Sequence, residues 1–168
     1  MAARYDTTTD VRHFDGSRWL ETEELCFLGF AGTPESWVTT FSAPQLGPPV
    51  PTQVIAHFEA GRGAIVYSRF FYPLATLGLE NLTRTMELAV RLRAKGSGGE
   101  GKTYKEDLKR LVKRGVLPAT DEAAWQAGRE LRNVASHPSG RFLIDPGMAL
   151  HHLHLTAERI QFLFPAAK

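Results

Sequence analysis

A short segment in the C-terminal third of the chain combines the residue types that phosphodiester cleavage requires. Arg132, four further residues and His137 run directly into Pro138. An arginine is a permanent cation that can bind a phosphate through two parallel hydrogen bonds. A histidine can give or take a proton near neutral pH without special tuning. The pair and its spacing therefore indicate a site for phosphate chemistry.

The reaction that this pair would perform on RNA needs no metal ion and no cofactor. His137 would deprotonate the ribose 2′-hydroxyl or protonate the leaving 5′-oxygen, while Arg132 would stabilise the charge of the phosphorane-like transition state. Asn133 lies four residues before His137 and can reach its ring on a helix. A single histidine would have to act as both the general acid and the general base. Two chains that meet along this face would supply a second Arg–His pair.

The motif predicts a helix that ends at His137. Thr120 and Asp121 are candidate N-caps, and Pro138 disfavours helical geometry at the residue before it. At about 100° per residue, the apolar side chains of this stretch share one arc of the helix and the polar ones share the opposite arc. The polar arc holds Gln126, Arg129, Arg132, Asn133 and Ser136, with Trp125 as an apolar exception.

Besides Asn133, three further residues of this arc are assigned roles beside the catalytic pair. Ser136 and Arg129 are predicted to support it. Trp125 has two interpretations, because it could stack on an RNA base or pack in a dimer interface. The simpler alternatives for the pair itself are a solvated or ion-paired Arg132 and a His137 that only caps the helix.

Three further helices are predicted to surround this one. The first covers residues 66–95 with an irregularity at Pro73, the second covers 105–114 and is broken by Pro118, and the last covers 146–164 behind Asp145 as cap. Their apolar residues recur at three- and four-residue steps. Four helices with short loops predict an all-α, up-and-down bundle.

The N-terminal third is less regular. Residues 37–41 are β-branched and aromatic and indicate a strand or extended arm. Four prolines between residues 44 and 51 predict an extended stretch. We therefore divide the chain into an N-terminal arm and Pro-rich linker at 1–52, with a short helix or strand, and a helical bundle at 53–168.

The hexapeptide from Arg132 to His137 resembles the Arg-x(4–6)-His motif of HEPN domains, in its Arg-Asn-xxx-His form. Residues 104–111 before it and His137-Pro138 ahead of a last long helix are similar too, so the resemblance covers about residues 65–166. It implies a helical bundle that acts as a dimer with a composite site, Arg132 and His137 as catalytic residues and Asn133 as their support. Many such domains are metal-independent endoribonucleases of toxin–antitoxin, CRISPR and antiphage systems, which implies a cognate antitoxin or defence partner. Others are non-catalytic binding modules.

Residues 96–103 match the phosphate-binding pattern GxxxxGK[ST], which would place Lys102 on a nucleotide. A P-loop must follow a buried strand, whereas residues 86–95 have helical periodicity and three basic residues. The 65 residues that follow Thr103 are also too few for the rest of a parallel sheet. We interpret this stretch as a flexible glycine-rich connector and keep nucleotide binding as a third alternative.

Two other groups of side chains invite a function. His151 and His154 share a face of the last helix and could bind a metal, but we interpret them as exposed histidines. Lys105 and Lys109 belong to a basic run on the second helix, which is either a solvated face or a surface for RNA backbone.

Composition sets the remaining expectations. The 168 residues are 43% hydrophobic and 23% charged, which suits one globular domain, and the net charge of +2 is too small to indicate nucleic-acid binding by itself. Cys26 is the single cysteine, and the chain lacks an apolar signal core or a run of about 18 apolar residues. The expectation is a cytoplasmic protein that does not enter a membrane, with metal-independent endoribonuclease activity or, alternatively, a non-catalytic binding role.

Overall fold

The computed structural model describes residues 32–126 and 144–166, which form an all-α bundle with no β-strand in these ranges. The predicted fold class is therefore confirmed. The helices are α1 (Pro34–Ser42), α2 (Thr52–Tyr67), α3 (Leu74–Gly96), α4 (Tyr104–Lys113) and α5 (Pro146–Leu163), and a 3₁₀ turn (Ala119–Asp121) leads into a helical segment at residues 122–126.

The pair α2 and α3 forms the centre of the bundle, and α3 also packs against α4 and α5. Gly61 and Gly78 lie where the two central helices cross. A Cβ atom at Gly78 would lie 2.9 Å from the Gly61 carbonyl oxygen and 2.6 Å from Cγ1 of Ile65. The two helices approach this closely because neither residue has a side chain.

Helix α1 occupies the stretch for which a strand or extended arm was predicted, and that prediction is wrong for residues 37–41. Thr33 caps the helix by accepting a hydrogen bond from the Ser36 amide, and Pro34 starts it. Trp37 and Phe41, one turn apart, are both buried in the core that α2, α3 and α5 share. Tertiary packing of this face overrides the β-propensity of the intervening residues.

Two anchors hold α1 against α2. The indole Nε1 of Trp37 donates to the Val66 carbonyl at 2.9 Å. Arg62 Nη1 donates to the carbonyls of Ser42 at 2.6 Å and Pro44 at 3.0 Å, and its other Nη pairs with Glu59. A cation on these carbonyls suits the negative end of the α1 dipole.

The single helix predicted at residues 66–95 is two helices in the structure. Helix α2 extends back to Thr52, which the sequence-based prediction missed, and ends at Tyr67. Helix α3 begins after Pro73, which lacks an amide hydrogen and stands at the N-cap position. The irregularity expected at Pro73 is therefore a complete break.

The predicted boundaries of α4 and α5, and the predicted start of the helical segment after the 3₁₀ turn, agree with the structure to within a residue or two. The predicted end of that segment, at His137, lies outside the described residues. Pro118 is not what ends α4, however. Gly115, at φ +69°, ends it, because the amides of Gly115 and Val116 donate to the carbonyls of Val112 and Leu111. At the start of α5, Asp145 Oδ1 accepts from the Met148 amide at 2.9 Å, which confirms Asp145 as its cap.

In the part of the chain that the structure describes, none of the helices is long and apolar enough to span a bilayer.

Candidate functional site

The predicted catalytic residues, Arg132 and His137, lie outside the described residues, as do Arg129, Asn133 and Ser136. The structure does describe what precedes and follows them. Trp125, before the motif, is 5% exposed and Ile144, after it, is 1% exposed. Both belong to the same hydrophobic core. The two flanks of the motif are therefore fixed parts of one bundle.

Trp125 is the one predicted site residue on the motif's helix that the structure describes. Its burial differs from the exposed position that the helical wheel predicts for it. Arg159 of α5 places its guanidinium 5.4 Å from the centre of the Trp125 ring, and the Tyr104 hydroxyl donates to the Trp125 carbonyl at 3.1 Å. Because these neighbours and the core enclose the indole, little of its surface is left for an RNA base or a second chain. The contact of Trp125 with RNA or with a second chain stays a prediction.

One cation, Arg159, lies against this tryptophan. Arg159 and His152 stand seven residues apart on α5 and are both partly buried. Burial lowers the pKa of His152, and the charges of His151 and Arg159 lower it further. Burial also lowers the pKa of Arg159, although Tyr104 and Asp121 oppose that shift. An arginine remains charged at neutral pH in any case, so this wall of the bundle carries a permanent cation.

The histidines of α5 do not assemble a metal site among the described residues. His151 and His154 are exposed, as predicted, whereas His152 is partly buried. Within residues 32–126 and 144–166, three or more histidine, cysteine or carboxylate side chains never come together in a geometry that could hold an ion.

The lysines that were predicted as RNA contacts, Lys105 and Lys109, are exposed on α4. The apolar face of the same helix is fully buried through Leu108 and Leu111. Helix α4 packs on α3 through its apolar face and presents these lysines to solvent. This arrangement fits either a solvated face or a surface for RNA backbone.

The connector from α3 to α4 is not a P-loop. A helix precedes it where a P-loop needs a strand. Its amides are also occupied, because Gly101 donates to Asp107 Oδ1 at 2.6 Å and Lys102 donates to Glu106 Oε2 at 2.7 Å. Carboxylates of the chain itself stand where a nucleotide phosphate would bind. The connector is also more ordered by hydrogen bonds than the flexible loop that the sequence predicted.

Sequence reasoning missed two residues that shape this region, namely Tyr104 and Arg159. Arg159 had a local signal, because it follows His152 by seven residues, which places both on one face of a helix. Arg114 belongs to the basic run that the sequence indicated on α4, and its Nη2 donates to the Gly98 carbonyl at 3.2 Å. The bond from Tyr104 to Trp125 joins residues 21 apart and has no signal in the sequence.

No protein-family model, curated protein or solved structure matches this chain in comparisons with each of the three. The similarity to HEPN domains therefore stays a prediction from the motif.

Proposed function

We propose that the protein is a metal-independent endoribonuclease of the HEPN type. The observation on which this proposal mainly rests is the sequence from Arg132 to His137, which supplies a phosphate-binding cation and a proton carrier within six residues. The all-α bundle gives indirect support, because the chain on both sides of the motif packs into one core. The positive charge of Arg159 beside Trp125 gives further support, since it favours an anionic ligand near the motif's N-terminal flank.

In the proposed reaction, His137 removes the proton of a ribose 2′-hydroxyl, and the 2′-oxygen attacks the adjacent phosphorus. The bond to the 5′-oxygen breaks, and a protonated histidine returns a proton to that oxygen. Arg132 stabilises the transition state by binding the non-bridging oxygens. The products are a 2′,3′-cyclic phosphate and a 5′-hydroxyl. The requirement for the 2′-hydroxyl excludes DNA as a substrate.

The test is to incubate the full chain with single-stranded RNA in the presence of EDTA and to resolve the products by length and end group. Wild type should cleave, and His137→Ala and Arg132→Ala should each lose at least about a hundredfold in rate. His154→Ala, which removes an exposed histidine from α5, is the matched control and should cleave like wild type. Equal cleavage by His137→Ala and wild type would exclude the mechanism.

The same assay tests whether cleavage requires a second chain and whether the protein is instead a non-catalytic binding module. If two motifs form a shared cleft in a homodimer, specific activity should fall when the protein is diluted below its dimer dissociation constant. A constant specific activity would instead indicate that one chain is sufficient. RNA that is bound but left intact would favour a non-catalytic binding module, such as a regulatory component that acts with an antitoxin or another defence protein.

A further inference from the structure

Positive charge is concentrated between residues 91 and 114. This stretch has nine lysines and arginines and three carboxylates, a net charge of +6, whereas the whole chain has +2. It comprises the end of α3, the glycine-rich connector and all of α4. Such local asymmetry attracts a polyanion even when the overall charge is small.

The three carboxylates of this stretch are all engaged locally. Asp107 is fully buried and accepts from the Gly101 amide. Glu106 accepts from the Lys102 amide, and Glu100 lies 3.6 Å from Arg91. Among the described residues, the other basic side chains of the stretch have no carboxylate within 4.0 Å. Their charges are therefore available to a ligand.

Two of these cations lie together on the connector. Arg110 and Arg114 follow each other by one turn of α4 and reach Gly99 and Gly98, which have φ values of +155° and +96°. A Cβ atom at Gly98 would lie 2.7 Å from Arg114 Nη1, and one at Gly99 would lie 2.5 Å from Arg110 Nη1. We call these four residues the arginine–glycine corner.

The corner is built to hold its cations close together. Arg114 is tied to the Gly98 carbonyl, and the buried Nε of Arg110 has no hydrogen-bond partner. The C-terminal end of α3 carries partial negative charge, which stabilises both guanidinium groups. Two like charges one helical turn apart repel each other. An anion bound between them would relieve that repulsion and supply acceptors for their free N–H groups.

The surroundings of the corner favour a nucleic-acid strand as the source of that anion. Lys105, Lys109 and Lys113 are exposed and follow one another by four residues, which places them about 6 Å apart along α4. A helix that binds a bilayer surface also needs outward apolar side chains. Helix α4 exposes none, since Leu108 and Leu111 are buried in the core.

We propose that the arginine–glycine corner and the lysine row of α4 bind backbone phosphates of single-stranded RNA without regard to sequence. The inference deepens the proposed ribonuclease function and rests on it for the choice of RNA. It adds Arg110 and Arg114 as phosphate-binding residues that hold the strand, distinct from the pair that would cleave it.

The experiment measures the binding of a fluorescently labelled single-stranded RNA to the full His137→Ala chain, in which the proposed cleavage is blocked, over a range of salt concentrations. Arg110→Gln and Arg114→Gln should each weaken binding, and the double variant should weaken it roughly tenfold at low salt. The slope of log K against log salt should become shallower by about 0.7 for each phosphate that the variant no longer binds.

Matched variants separate this role from a loss of net charge or of folding. Arg84→Gln removes one exposed arginine from α3 and should leave affinity and slope unchanged. Arg110→Lys and Arg114→Lys keep the charge and should retain most of the affinity. Thermal unfolding of each variant shows whether the fold persists, and affinities are compared at a temperature at which every variant is folded.

The outcomes distinguish the corner from the nuclease. If the double glutamine variant binds RNA with unchanged affinity and salt slope, the proposed phosphate-binding role of the arginine–glycine corner is wrong, even if wild type cleaves RNA. If RNA binding depends on the arginine–glycine corner but wild type does not cleave RNA, the proposed nuclease activity is wrong and the proposed binding role of the corner is supported. Vesicles with anionic lipid form a third arm, and binding to them in preference to RNA would also overturn the proposal.

Discussion

His152 is a partly buried side chain whose ionisation should affect the stability of the fold. Burial lowers its pKa, and the positive charges of His151 and Arg159 act in the same direction. In the unfolded chain an imidazole titrates at about pH 6.5. As the pH falls, the unfolded state therefore takes up this proton before the folded state does. The contribution of His152 to the free energy of unfolding is complete above about pH 6.5 and is lost progressively on the acid side.

Replacing His152 with glutamine should reduce this acid sensitivity. We expect the urea midpoint of wild type to fall further than that of His152→Gln between about pH 7.5 and about pH 5.5. His154→Gln removes an exposed histidine from the same helix and should keep the wild-type dependence. If His152→Gln and wild type show the same change in midpoint, the coupling of His152 to folding is refuted.

The chemistry of individual residues was partly predictable. Asp145 as a cap follows from local sequence, because the bond to Met148 spans only three residues. The burial of Trp125 does not follow, since the helical period places it on the polar arc. A residue of α5, 34 positions later, covers its ring. Periodicity describes one helix in isolation and carries no information on which neighbour covers which face.

At the scale of the element, the crossing of α2 and α3 depends on a glycine contact. Gly78→Ala would bring a methyl group to 2.6 Å from Cγ1 of Ile65 and 2.9 Å from the Gly61 carbonyl. The helices must separate to accept it, which costs about 1–3 kcal/mol. The higher helix propensity of alanine returns up to about 1 kcal/mol. We therefore expect a net loss of about 1–2 kcal/mol in the free energy of unfolding, measured by urea denaturation.

Gly63→Ala is the matched control for this substitution. Gly63 lies in α2, two residues after Gly61, but a Cβ atom there would have no neighbour within 4 Å. Only the propensity term should remain, and the protein should gain about 0.5–1 kcal/mol. Opposite signs for the two variants would support the close crossing. A stabilising Gly78→Ala would show that the helices are farther apart than described.

The elements differ in how far local sequence determines them. Helices α4 and α5 begin at capping residues, Thr103 and Asp145, and their boundaries were predicted closely. Helix α1 has signals too, since Thr33 and Pro34 form a cap and first turn. The β-branched and aromatic residues that follow outweighed those signals. Only the spacing of Trp37 and Phe41, four residues apart on one buried face, resolves the conflict.

For the whole molecule, the described core extends across the boundary that the sequence suggested at residue 52. Trp37, Phe41 and Val50 belong to the same core as the residues of α2, α3 and α5. Gln161 of α5 also donates to the Gln45 carbonyl at 2.6 Å, between residues 116 apart in the chain. The prolines between residues 44 and 51 made this stretch resemble a linker, although it packs as part of the bundle. Contacts of such long range leave no pattern in local composition.

Because α1 shares the core, Trp37→Ala should destabilise the entire chain in a single unfolding transition. Trp37 is 1% exposed and its indole bonds to Val66, so its truncation leaves a cavity and an unpaired carbonyl and should cost about 3–5 kcal/mol. Val38→Ala changes the adjacent residue, which is 41% exposed, and should cost at most about 0.5 kcal/mol. Urea denaturation followed by far-ultraviolet circular dichroism measures both. A loss below about 1 kcal/mol for Trp37→Ala, or a separate early transition, would mean that α1 is an appendage and that the bundle folds without it.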